Sequence, residues 1–163
     1  MQLDQFWHFV EAAKAKAGSD TEARVDALRT VLGSLSPAEL QSFQNHYDRL
    51  ICLAYRWDLW AAAYIINGGC GDDGFRYFRD WLISEGRSVF EAALKDPESL
   101  ADLPHADPAE LEAFNYVAYE LYEQKGAGKL AFDYSTESPD PAGTPWEEDA
   151  VEEMFPKLSS KYG

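Results

Sequence analysis

Cys70, Asp72, Asp73, Arg76 and Arg79 stand within ten consecutive residues, inside the stretch INGGCGDDGFRYFRDWLISEG that spans 66–86. Adjacent carboxylates can supply a general acid and base. Two arginines one turn apart can hold an anionic group, and a cysteine beside a helix start is a candidate nucleophile where its thiolate is favoured. Gly69 stands in the turn beside them, and Trp57 and Trp81 can wall a pocket. The candidate catalytic residues are therefore Asp72, Asp73 and Cys70. The candidate ligand-binding set is Trp57, Gly69, Asp72, Asp73, Arg76, Arg79 and Trp81.

The same residues also suit a plain helix-to-helix corner. Gly68 and Gly69 can take the left-handed conformation that closes a helix. Asp72 or Asp73 can cap the next helix and sit against its positive dipole end. Arg76 lies four and three residues after these acids and four before Asp80, spacings that give surface ion pairs of a few tenths of a kcal/mol. Two facts are left over from the corner reading. One cap suffices where two acids stand, and Gly74 weakens a first helical turn by up to about 1 kcal/mol relative to alanine. Together with Arg76 and Arg79 they raise the expectation of an anion-tolerant pocket with aromatic walls.

Other chemistry is argued down by spacing. His8, His46 and His105 are scattered, and His46 stands six residues before Cys52, on a different face of one helix, so no metal site is expected. Without a base assignable to it, Cys70 reads as an ordinary turn cysteine. Arg56 and Asp58 fall inside an apolar run. Being two apart on a helix they point to different sides, so each is expected to find a tertiary partner.

The elements that position these residues read as helical throughout. Five segments place a capping residue three before a glutamate: Ser19/Glu22, Ser36/Glu39, Ser88/Glu91, Asp107/Glu110 and Thr144/Glu147. Pro37, Pro108 and Pro145 follow three of these caps, where a missing N–H costs nothing. Asp4 is expected to cap a first helix that ends at Gly18, and Val25, Leu28, Leu32 and Leu35 mark the stripe of a second. Leu40, Phe43, Tyr47, Leu50, Ala54, Trp57, Ala61 and Tyr64 step by three and four, which predicts one central hydrophobic helix over about 37–67. Phe75, Phe78 and Leu82 face the core from the next helix, Val89, Phe90 and Leu94 from a short one, and Leu111, Phe114, Ala118 and Leu121 from a longer one.

The stretch 133–145, DYSTESPDPAGTP, holds three prolines and no aliphatic residue larger than alanine, so it reads as an extended connector. A short helix over about 146–155 follows, with Trp146, Val151, Met154 and Phe155 expected to dock it back on the body, an anchor for another chain being the alternative. The expected organisation is a helical domain over 1–130, a Pro-rich linker over 131–145 and a short C-terminal helix and tail over 146–163. The fold class is all-α, a single-domain multi-helix bundle.

Composition bounds the partners. The 163 residues carry 29 acidic and 14 basic side chains, a formal charge of −15 that repels a polyphosphate backbone, so nucleic acid is not expected. Eight carboxylates against two lysines fall in 133–163. No run reaches the about 18 apolar residues of a membrane span, and the amphipathic stretch after Met1 lacks a basic n-region and an apolar h-region, so no signal peptide is expected. Two cysteines, Cys52 and Cys70, without a CxxC pattern suit reduced thiols, and a cytoplasmic protein is expected.

The segment LWAAAYIINGGCGDDGFRYFRDWLISEGRSVFEAALKDPESLADL, with LDQFWHFVEAA near the start, resembles the bacterial family catalogued as domain of unknown function 4240 over about residues 3–125. Gly69, Cys70, Asp72, Asp73, Phe75, Phe78 and Trp81 match its motif. The resemblance implies a helical domain whose hallmark is this corner, and it names no activity. A serine usual in the pattern is replaced here by Gly71, which shifts capping to the aspartates. The leading expectation is a binding or accessory module, for a protein or a small anionic ligand, with no cofactor. An enzyme using Asp72 or Asp73, with Arg76 and Arg79 holding an anionic substrate, is the alternative. An acidic antagonist or immunity-type partner of a basic protein is the third reading.

Overall fold

A computed structural model describes residues 1–163 as helices without a β-sheet. Nine α-helices follow in order: α1 (Leu3–Ala17), α2 (Ala23–Leu32), α3 (Pro37–Leu53), α4 (Trp57–Asn67), α5 (Asp72–Ser84), α6 (Arg87–Lys95), α7 (Val117–Gln124), α8 (Val151–Met154) and α9 (Pro156–Tyr162). Short 3-10 turns at Pro97–Asp102, Glu112–Tyr116, Tyr134–Thr136 and Glu148–Ala150 link the later ones. The fold is all-α, as the periodicity predicts.

Local signals act unevenly. Ser36 and Glu39 form the expected reciprocal cap, each backbone N–H donating to the other's side chain at 3.2 Å. Elsewhere the cap moves. Gln5 accepts from the Gln2 backbone at 3.0 Å and Asp4 lies within the first turn of α1. Asp20, not Ser19, accepts from Ala23 at 3.3 Å. Gly86 precedes α6, which leaves Ser88 inside it. The chain after Asp107 stays non-helical until Glu112, and after Thr144 until Glu148. The capping pattern therefore marks the neighbourhood of a helix start rather than its first residue.

The single helix expected over 37–67 is two. α3 ends at Leu53, Arg56 is extended (φ −137°, ψ 142°), and α4 restarts at Trp57. The backbone groups freed by the break are taken up from far along the chain. Ala142 donates to the Tyr55 carbonyl and accepts from the Trp57 amide, both at 2.9 Å. The break also corrects the expectation for Arg56 and Asp58. They pair with each other through two hydrogen bonds, Nε to Oδ1 at 3.1 Å and Nη2 to Oδ2 at 2.9 Å. Arg56 stands outside helical geometry, so the opposed directions that a continuous helix imposes do not apply.

One hydrophobic core draws on all nine helices, with Phe6, Phe43, Tyr47, Phe75, Phe78 and Phe114 almost fully buried. Phe6 and Phe43 meet with ring centroids 4.6 Å apart. α4 is enclosed on several sides: Leu59, Ala61, Ala62, Ala63, Ile65 and Ile66 are all buried, with α5, α8 and α9 packed against it.

Residues 131–145 lie along the body as a strap. Asp133 pairs with Arg49 at 2.8 Å and donates its amide to Asp48 Oδ2 at 3.1 Å, while Ala142 makes the bridge at the α3–α4 break. The C-terminal helices dock on the same chain. Trp146 donates its indole N–H to the Trp57 carbonyl at 2.7 Å, and Val151, Phe155 and Leu158 are buried. The final helical segment is divided by Phe155 and Pro156, with α9 running on to Tyr162.

Candidate functional site

α4 ends as the double glycine dictates. Gly68 is left-handed (φ 66°, ψ 39°), and Gly69, at φ 117°, donates its amide to the Tyr64 carbonyl at 2.8 Å. Gly71 precedes α5, so Asp72 and Asp73 occupy its first turn and neither caps it with a side-chain hydrogen bond. Both are exposed and sit at the positive end of the helix dipole.

One turn on, the two arginines part company. Arg79 is not on an exposed rim. It is 8% accessible, donates from Nη1 to the Ile51 carbonyl at 2.9 Å and from Nε to the Phe75 carbonyl at 3.4 Å. Its guanidinium lies 4.8 Å from the Tyr55 ring centroid and 4.7 Å from that of Phe75. Burial, then the charge of Arg76, lowers its pKa to about 10, so it stays a cation at neutral pH. Positions 75, 78, 79 and 82 form one stripe on a helix, so the burial of Arg79 follows from its register with the core phenylalanines.

Arg76 takes the more accessible place and pairs neither with Asp72 nor with Asp73. Its carboxylate partner is Asp80, Nε to Oδ1 at 3.5 Å, and this is a half-buried pair rather than the expected surface one, since Asp80 is 1% exposed while Arg76 keeps 29%. Tyr47 donates its hydroxyl to the same Oδ1 at 2.7 Å, while Asp80 Oδ2 and Arg76 Nε have no hydrogen-bond partner. Burial pushes the Asp80 carboxyl up to about 7, against the opposing pull of Arg76. Beside it, burial also raises the pKa of Asp48, which accepts from Gln44 at 2.9 Å and from the Asp133 amide.

Arg76 and Arg79 border a cavity of about 360 Å³ between the C-terminal turn of α3, the start of α5 and the strap. Tyr55, Trp60 and Phe75 give it an aromatic wall, Trp60 and Phe75 being stacked at 4.8 Å. Asp72 also lines it, as do Phe132, Glu137, Ser138 and Pro139 of the strap. Of the sequence-predicted site residues, Asp72, Arg76 and Arg79 are brought together here. Gly69, Cys70 and Asp73 do not line the cavity. Trp57 stacks behind Trp60 at 5.4 Å, and Trp81 is buried against Phe78 at 5.5 Å.

The residues that sequence reasoning missed are Tyr55, Trp60, the strap residues and Asp80 as a buried acid. Trp60 carried a local signal, four residues from Tyr64 on one helix face; its indole donates to the Cys70 carbonyl at 2.9 Å and so ties the corner to α4. The strap residues carried none, because nothing in a proline-rich stretch says where it lands.

Cys70 has no thiolate character. Burial, then the carboxylate of Glu110, pushes its thiol up to about 12. Gly74 faces that sulfur: a Cβ at this position would meet Cys70 Sγ at 3.4 Å, ordinary van der Waals contact, so the close packing is within the protein. Nowhere do three or more His, Cys, Asp or Glu side chains converge as metal ligands.

The fold and the cavity define an all-α protein with a two-arginine, aromatic-walled pocket under a C-terminal strap. The family model described as "Protein of unknown function (DUF4240)" matches residues 1–124, and the chain belongs to that family. The matched span contains the corner and both arginines, and the strap lies beyond it. No curated protein and no solved structure matches the chain. No helix is long and apolar enough to cross a membrane.

Proposed function

We propose that the protein is a binding module that holds a small anionic ligand in the cavity between α3, α5 and the strap, with Arg76 and Arg79 as the anion's partners. The observation that carries this reading is the convergence of two guanidinium groups on one aromatic-walled cavity in a chain of net charge −15. Arg79 commits Nε and Nη1 to backbone carbonyls, which holds the group rigid and leaves Nη2 uncommitted. Arg76, 29% exposed, presents its guanidinium to the same space.

Asp72 and Glu137 also border the cavity, yet both are exposed. Charges in water act through a dielectric of about 80, against about 20 near a protein's interior, so the buried arginine outweighs an exposed carboxylate roughly fourfold at equal distance. A small ligand is favoured over a protein docked at the corner because the corner's large apolar residues, Phe75, Phe78 and Trp81, are buried. The exposed ones, Leu53, Tyr116, Tyr134 and Met154, lie on other segments.

Thermal denaturation in the presence of small inorganic and organic anions tests the proposal. At least one should raise the melting temperature of the wild-type protein and leave Arg76→Gln unmoved. A panel in which no anion gives an Arg76-dependent shift rejects the site.

A further inference from the structure

We infer that Asp80 couples anion capture at Arg76 to the uptake of one proton, so that the cavity binds its anion as the protein gains H⁺; this rests on the anion site proposed above. The geometry is a shared guanidinium. Arg76 has Asp80 Oδ1 3.5 Å from its Nε on the inner side and the cavity on the outer side. An anion in the cavity and the Asp80 carboxylate are then two negative groups served by one cation.

Two negative groups on one cation disfavour each other, and the buried one is the one that can be neutralised. Asp80 Oδ2 has no hydrogen-bond partner and is cut off from solvent, so a proton placed there relieves a carboxylate that water cannot. The proton enters on the Asp80 carboxyl and no covalent bond other than O–H forms. Because that carboxyl already sits at about 7, the coupling operates near neutral pH.

The groups facing Asp80 are Tyr47 of α3, Tyr116 of the 3-10 turn before α7, and Arg76 and Arg79 of α5 itself. Asp48 of α3 and Tyr119 of α7 also feel the charge of Arg76. Burial pushes the Tyr119 hydroxyl up to about 12, and it pushes the Tyr47 hydroxyl up as well, so neither titrates near 7. Asp48 is the other carboxyl that burial raises, and substitution of Asp80 alone separates the two.

Sulfate is the probe, since it carries a constant charge across the range used. Calorimetric titration of the full chain should give affinity that rises by at least about tenfold from about pH 8.5 to about 5.5, a lower bound for the repulsion between a carboxylate and a doubly charged anion at an effective dielectric of about 20. Near neutral pH, two buffers of different ionisation enthalpy should report net proton uptake on binding. Asp80→Asn should bind sulfate with a flattened pH profile. Tyr47→Phe removes a hydrogen bond that holds the Asp80 pKa down, and should move the midpoint of the profile to higher pH. Equal pH slopes in wild type and Asp80→Asn, or an unmoved midpoint in Tyr47→Phe, overturn the coupling and leave the anion site standing. Absence of any Arg76-dependent sulfate binding overturns the site and the coupling together.

Discussion

Arg79 donates from Nη1 to the main-chain carbonyl of Ile51 at 2.9 Å, which ties the middle of α5 to the last turn of α3. That carbonyl belongs to the group of four that a helix end leaves without an intrahelical partner. A cation there also meets the negative end of the α3 dipole.

Replacing Arg79 by methionine should therefore lower stability by about 2–3 kcal/mol, because a buried carbonyl loses a charged donor and two aromatic rings lose their stacked guanidinium. Arg79→Lys should recover little, since a point charge cannot reach two carbonyls and stack at once. Urea denaturation measures both, and a lysine variant as stable as the wild type would show that charge alone suffices.

The buried Asp80 makes a prediction for stability against pH. Its ordinary value of 3.8 is raised to about 7 in the folded chain, so between these values the native state binds more protons than the unfolded one. Asp80 therefore contributes a loss of stability as pH rises from about 4 to about 7, and a plateau above. Asp80→Asn should remove that slope and gain on the wild type by a few kcal/mol at about pH 8 relative to about pH 4. Denaturation midpoints across pH provide the check, and parallel curves for the two proteins would contradict it.

Two glycines of the corner should respond in opposite directions. Gly69, at φ 117°, has open space around a Cβ but a backbone that other residues rarely adopt, so Gly69→Ala should cost about 1–3 kcal/mol. Gly74 is helical with ordinary contact for a Cβ, and Gly74→Ala should gain up to about 1 kcal/mol. Thermal melts of the pair decide it; a destabilised Gly74→Ala would contradict the ordinary contact found for its Cβ.

Trp146 anchors the strap's far end through its indole bond to Trp57 and its packing on Trp57 and Tyr64. Trp146→Ala should cost about 2 kcal/mol, below the range for a fully buried tryptophan because this one is half-buried. Hydrogen exchange at the amides of Trp57 and Ala142, which close the bridge at the helix break, should speed up well before amides of α1. Unchanged protection there would show that the strap is held without Trp146.

Much of this was legible in residue order. Val25, Leu28 and Leu32, then Leu40, Phe43, Tyr47 and Leu50, have the spacing of the helices that bury them, because amphipathic periodicity is a local property. The turn at Gly68 and Gly69 was legible for the same reason. The break at 54–56 was not. The apolar pattern runs through it without a glycine or proline, and what stabilises it is a backbone pairing with Ala142, more than eighty residues away. The candidate site divides in the same way. Asp72, Arg76 and Arg79 stand out by type and spacing, whereas Tyr55 enters through the break and Phe132 and Glu137 through the landing of the strap.

The amino-acid order by itself determined that this is a helical protein with a glycine corner that starts an aromatic helix, since caps, turns and stripes depend on neighbours within a few residues. Tertiary structure decided which arginine is buried, which acid holds a proton near neutrality, and where the strap lies. Those outcomes depend on solvent exclusion and on contacts between distant segments, and neither quantity exists until the chain has closed on itself.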